Sequence, residues 1–240
     1  ALGDGWFLGG SLSYEDSWYK NDSGTQKLEN QSMTGAAALK KEVGQWLFAV
    51  AGGASYNWGE STRYMTLGSL SGVGTAEPNS SVFFGRARAS YEMIFNDHFY
   101  MRPMVALDVV TAHQPGYRER GLDGLSLIID DSTNTVFSVT PGVEIGTRVN
   151  VAPDLPARLF AGAAVSFLSE DSFEVRSRFA GISEMDGFLT KTAVNDTVGH
   201  VTAGVDLQEV HGLQLKVQYE GSFADNFQSH GGSLRFGYRF

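Results

Sequence analysis

Residues Gln214 to Phe240 read QLKVQYEGSFADNFQSHGGSLRFGYRF, and the period of that stretch decides the fold. An extended strand sends successive side chains to opposite faces, so every second residue shares a side. Leu234, Phe236, Tyr238 and Phe240 then lie on one face, and Ser233, Arg235, Gly237 and Arg239 on the other. Leu213, Leu215, Val217 and Tyr219 likewise oppose Gln214, Lys216, Gln218 and Glu220. A wall with hydrocarbon on one side and water on the other calls for this arrangement over segments of about ten residues.

The pattern recurs towards the N-terminus. Val201, Ala203, Val205 and Leu207 oppose His200, Thr202, Gly204 and Asp206. Val139, Pro141, Val143, Ile145 and Val149 oppose Thr140, Gly142, Glu144, Gly146 and Arg148. Phe99, Met101, Pro103, Val105, Leu107 and Val109 oppose Tyr100, Arg102, Met104, Ala106 and Asp108. Weaker versions run over Val82–Phe95, with Arg86, Arg88, Ser90 and Glu92 on the polar side, and over Arg158–Leu168. Trp6–Tyr14, Met33–Val43 and Trp46–Trp58 complete ten strands, read as one domain over residues 1–240. The expected fold class is all-β, a transmembrane antiparallel up-and-down β-barrel.

Composition narrows the alternatives. No stretch approaches the roughly 20 apolar residues of a membrane-crossing helix. A formal net charge of −9 argues against a nucleic-acid partner, which needs a basic surface. Cysteine is absent, so neither disulfides nor thiolate metal sites exist. Ala1 to Gly5 lacks the basic and apolar regions of a secretion signal, which would therefore lie upstream.

A soluble sandwich also alternates, but it has no use for aromatic residues at both strand ends. Here Trp6, Trp46, Phe95, Phe99, Tyr100, Tyr238 and Phe240 fall near one end, and Tyr14, Trp58, Tyr117 and Phe223 near the other, as interfacial girdles do. Connections alternate too. Short links at Glu42–Gln45, Asn96–His98, Asn150–Pro156 and Glu209–Gly212 separate longer ones at Ser17–Lys27, Gly59–Ser81, Thr111–Ser126 and Ser169–Lys191, with a last short external link at Ala224–Ser229. Outer-membrane barrels have tight periplasmic turns and longer external loops. The expectation is a bacterial outer-membrane barrel, surrounded by lipid and monomeric, with both chain ends periplasmic.

The C-terminal stretch, with its Tyr-Glu-Gly segment, short loop, Ser-His-Gly-Gly and closing alternation, resembles the autotransporter β-domain family, whose translocators belong to type V secretion in Gram-negative bacteria. Ala87–Arg102, ARASYEMIFNDHFYMR, resembles the family's strand, turn and strand, as does the Ala37–Val50 hairpin. The resemblance implies a translocator that anchors and helps export an N-terminal passenger. It implies Tyr238 and the terminal Phe240 as the signal read by the barrel-assembly machinery, and the upstream passenger as partner. Family members usually have twelve strands and a helix in the pore. Leu2–Trp6, LGDGW, looks like a periplasmic turn, so the first two strands and the helix are expected upstream, although a ten-stranded barrel is also even-numbered.

On this register Arg86, Arg88, Glu92, Arg102, Asp108, Glu144, Arg148, Arg158, Asp206, Lys216, Glu220, Arg235 and Arg239 line the lumen, where charges can pair or hold water. A stand-alone porin or adhesion barrel has the same architecture. An outer-membrane protease needs carboxylates and a histidine at the external rim, and His113 with Asp130 and Asp131 is the candidate; His98 and His211 fall at periplasmic turns, His200 in a strand and His230 in a loop. No motif points to catalysis, a metal or a cofactor.

Overall fold

The computed structural model describes residues 4–68, 70–152, 155–181, 187–210 and 213–238. Ten long strands build the wall: β1 (Trp6–Lys20), β2 (Gln26–Val43), β3 (Trp46–Leu67), β4 (Asn79–Tyr91), β5 (Phe99–Gln114), β6 (Ser132–Ala152), β7 (Leu155–Leu168), β8 (Thr197–Val210), β9 (Leu213–Ala224) and β10 (Phe227–Tyr238). Each pairs antiparallel with its neighbour in the chain, giving one up-and-down sheet. All ten strands anticipated from the alternation are present in that order.

The register keeps the two sets of side chains apart across the whole sheet. Val105 faces Ala89 and Pro141, and Leu107 faces Ala87 and Val139. Val205 faces Leu159 and Val217, and Val217 faces Leu234. A one-residue slip anywhere would put charges among these apolar groups, so the two-faced pattern fixes the pairing. The apolar face is bare of protein, with Leu107 and Ile145 each 57% exposed and Leu234 71%. Tyr100 and Ser90, 2% and 1% exposed, both belong to the polar face. That shielding marks the polar face as the concave side of a curled sheet.

Aromatic pairs sit near the ends of the apolar face. Trp46 packs on Tyr91 at 5.0 Å and stacks on Phe48 at 5.7 Å near the short-turn end. Trp58 lies 6.0 Å from Tyr56 and 6.4 Å from Tyr14 near the other. Two residues expected in these girdles lie elsewhere. Tyr100 points to the polar face, because its position has the parity of Arg102, and Tyr117 leaves the wall altogether.

The long connections also differ from the loops expected of them. β2, β3 and β6 run to 18, 22 and 21 residues, well beyond the ten or so anticipated from the alternation, so they take up residues expected in the loops. The Ser17–Lys27 link contracts to a turn at 21–25. Within Gly59–Ser81, β3 carries on to Leu67 and the strand Leu70–Ala76 returns along it. Segments from the next two connections form a second sheet in the order Phe188–Ala193, Ser172–Phe179, Leu127–Ile129, Tyr117–Arg118.

These three connections are joined. Thr75 bridges Arg120, Leu122 is buried against Gly72 and Gly74, and Arg63 holds Glu119 through two bonds, Nε to Oε1 at 2.9 Å and Nη2 to Oε2 at 2.5 Å. Glu119 Oε2 also accepts from the Leu127 amide at 3.0 Å. Hydrogen bonding to Glu119 pushes the Arg63 guanidinium further up, and burial raises the Tyr117 phenol. Arg63 has the parity of the wall's polar face, so this cap packs on the inner side of the β3 hairpin.

Candidate channel face

The polar face carries one separate ion pair and a connected set of them. Arg86 and Asp108 are cross-strand partners and bond directly. Glu92, at the break after β4, accepts from both Arg102 and Arg148. Glu144 accepts from the Tyr100 hydroxyl at 2.8 Å, from Arg102 at 3.2 Å and from Arg158 at 3.4 Å. Arg158 continues to Asp206 at 3.2 Å. Four strands and the β4 break are thereby tied together on one face, and every carboxylate in the set satisfies at least one cation.

Aromatic rings floor this network. Tyr100 lies over Gly146 and Phe160 over Gly204, each directly opposite on the next strand. A Cβ built at Gly204 would stand 2.5 Å from Phe160 Cζ, so only glycine lets the ring lie down there. Cations then cover the rings, Arg102 and Arg148 at 5.2 and 5.0 Å from Tyr100, and Arg158 and Lys216 at 5.1 and 5.0 Å from Phe160.

The remaining expected positions share the face without joining the network. Arg88 lies between Ala49 and Ala106 on the flanking strands. Lys216 faces Asp206 on one side and Arg235 on the other. Glu220 accepts from Gln218 on its own strand. Arg239 and Phe240 lie outside the described residues, as does the Tyr238 side chain.

The protease candidates are partnered elsewhere. His113 Nδ1 is 3.0 Å from Thr133 Oγ1, while Asp130 is held by Arg178 at 2.5 Å. His200 sits on the polar face between Ser166 and Ser222, at 2.8 and 3.0 Å, and His98 Nδ1 is 3.2 Å from the Arg148 carbonyl oxygen. His230, expected in a loop, lies within β10 beside the Tyr219 hydroxyl at 2.7 Å. His211 falls outside the described residues. No group of three or more potential ligands among the described residues is placed to hold a metal ion.

The family model of the autotransporter β-domain matches residues 1–220. The chain belongs to the autotransporter β-domain family. Among solved structures it is similar to the translocator domain of the autotransporter NalP from Neisseria meningitidis, with 16% identity, all of this chain and 77% of that one covered, and a TM-score of 0.73. It is also similar to the β-domain of the Bordetella autotransporter BrkA, with 18% identity, 97% and 82% covered, and a TM-score of 0.60. The transport unit of AIDA-I from Escherichia coli gives 11%, 98%, 83% and 0.51. At such identities the likeness speaks for the fold. No curated protein sequence matches the chain. In this β-domain, then, one face is built for hydrocarbon and the other for charge.

Proposed function

We propose that this chain is the translocator barrel of an autotransporter, inserted in a bacterial outer membrane, where it anchors an N-terminal passenger and helps carry it to the cell surface. The observation that carries the reading is the pairing of a bare apolar face with an ion-paired face on one continuous antiparallel sheet. Hydrocarbon solvates the first at no cost, and the second keeps charges out of it. The polar face then lines the lumen, with Arg86, Arg88, Glu92, Arg102, Asp108, Glu144, Arg148, Arg158, Asp206, Lys216, Glu220, Arg235 and Arg239 upon it.

Among the described residues β1 pairs only with β2, and β10 only with β9. An open strand edge has no solvation inside a bilayer, so the ring must close. Two further strands are proposed between these edges. Asp4 and Gly5 support this, since both take left-handed φ, 48° and 75°, the pair a two-residue hairpin turn requires from a strand preceding β1. The short links that follow β2, β6 and β8 then face the periplasm with both chain ends, and the joined outer connections face outside. Tyr238 and Phe240 are assigned to recognition by the assembly machinery, and the barrel to a monomer without catalytic chemistry.

The test uses the natural full-length protein in a Gram-negative host. It should fractionate with the outer membrane, run faster on a denaturing gel before boiling than after, and display a passenger that protease destroys on intact cells. A soluble periplasmic protein, or a passenger protected until the cells are lysed, would overturn the reading.

A further inference from the structure

The cap on the β3 hairpin leaves a polar cleft on the hairpin's outer side. Lys27, Thr62, Thr75 and Arg120 follow one another across β2, β3, the returning strand and the cap. Thr62 has the parity of Trp58 and lies four residues further out, about 13 Å by strand rise. Glu119 turns to the other side, where Arg63 holds it, while Arg118 and Arg120 line the cleft. With Thr62, Thr75, Glu60 and Glu77 they enclose about 480 Å³. That volume lies within the roughly 300–1,000 Å³ of small-ligand sites.

Arg118 and Arg120 are exposed, and among the described residues neither bonds a carboxylate. Two free guanidiniums beside two threonine hydroxyls suit a phosphate, which takes forked N–H donors. Glu60 and Glu77 would repel a bare anion. They suit one that carries hydroxyls, because an ionised carboxylate only accepts hydrogen bonds. The cleft shares both glutamates with a second hollow, lined in part by Trp58, Gln31 and Asn79. Gln31 Oε1 accepts from the Trp58 indole at 2.7 Å, which leaves the Gln31 amide N–H groups for a ligand. An indole flanked by amides suits a sugar ring, whose C–H face lies on the aromatic surface while its hydroxyls bond the polar groups around it. These three residues belong to β2, β3 and β4, inside the sheet and away from its open edges.

We infer that this outer cleft binds a phosphorylated saccharide, with the phosphate on Arg118 and Arg120 and an adjoining sugar ring on Trp58. The chemistry comes from the cleft alone; its membrane placement rests on the translocator reading. In that reading the cleft opens beside the outer leaflet, past the aromatic row of Tyr14 and Tyr56. Its ligand is then either the headgroup of a membrane glycolipid or a free phosphosaccharide at the cell surface.

The natural full-length protein, purified in detergent, tests this by calorimetric titration. The probes are the deacylated, phosphate-bearing saccharide of lipopolysaccharide, the same saccharide after phosphatase treatment, and inorganic phosphate. The phosphorylated saccharide should bind, and the other two at least about tenfold more weakly. Arg118→Gln/Arg120→Gln should raise its Kd about tenfold, the worth of one or two charge-assisted bonds. Trp58→Leu should weaken it as well, whereas Trp58→Phe retains most of the binding. Heat-modifiability checks that each variant folds. Lipopolysaccharide with its acyl chains, in the same micelles, separates the two sources: tighter binding than the free saccharide assigns the cleft to the leaflet, and equal binding assigns it to ligand in the medium, both lost with the arginine pair. Phosphate binding as tightly as the saccharide, an unchanged Kd in the double arginine variant, or a folded protein that binds no saccharide overturns the inference and leaves the translocator reading standing. A wild-type protein without heat-modifiability sinks the translocator reading, and the titration still decides the cleft.

Discussion

Glu144 is the hub of the polar face, and Glu144→Gln isolates what its charge contributes. The side chain is 13% exposed and accepts from Tyr100, Arg102 and Arg158. The amide keeps the shape and one carbonyl oxygen, so Tyr100 keeps an acceptor. The charge is lost, and Arg102, Arg148 and Arg158 are left to share Glu92 and Asp206. Removing one partner from a fully buried pair costs about 3–5 kcal/mol. Here Arg102 keeps Glu92 and Arg158 keeps Asp206, and both stay partly exposed, which lowers the expected loss to about 2 kcal/mol. Urea unfolding in lipid vesicles, followed by tryptophan fluorescence, reads it as a fall in midpoint at unchanged slope. Glu144→Gln combined with Arg158→Gln should cost less than the two changes added, because the cation no longer lacks its acceptor. A single variant within about 0.5 kcal/mol of wild type, the range of ordinary surface changes, would refute a load carried by ion pairs.

Three further outcomes follow from particular contacts. Gly204→Val drives a side chain into the Phe160 ring and the Val217 carbonyl and should abolish the heat-modifiable form, whereas Gly232→Ala, with nothing within 4 Å, should leave it intact. Arg63→Gln unfastens Glu119 and should speed proteolysis within 115–131 and 169–196 several-fold in intact vesicles, while the unfolding midpoint of the wall stays put. Arg235→Glu faces Lys216 with a carboxylate; its first effects should be on unfolding midpoint or single-channel conductance, and an identical pair of values would count against the register.

The wall was legible because its cause is local. A strand between lipid and a wet lumen must alternate at every residue, so Leu234, Phe236, Arg235 and their like declare their faces without knowledge of any partner. The outer connections were not legible in that way. Thr75 meeting Arg120, or Leu127 meeting Phe179, depends on segments far apart in the chain, and the short strands carry too few residues for a period to show. Tyr100 was misjudged for a related reason. An aromatic near a strand end suggests a girdle, but position 100 shares the parity of Arg102, and the Gly146 opposite supplies the space for an inward ring. Charged positions could be assigned a face but not partners: nothing in the spacing shows Glu144 serving Tyr100, Arg102 and Arg158 together while Arg88 is left among alanines.

Everything above depends on which face of the sheet meets hydrocarbon. Single tryptophans placed in turn at positions 105, 106, 107 and 108, in a background where Trp6, Trp18, Trp46 and Trp58 are phenylalanine, read this in vesicles of brominated lipid. Positions 105 and 107 should lose most of their fluorescence to bromine, and positions 106 and 108 should instead be quenched by aqueous acrylamide. Equal bromine quenching at all four positions, or the opposite alternation, would contradict the account.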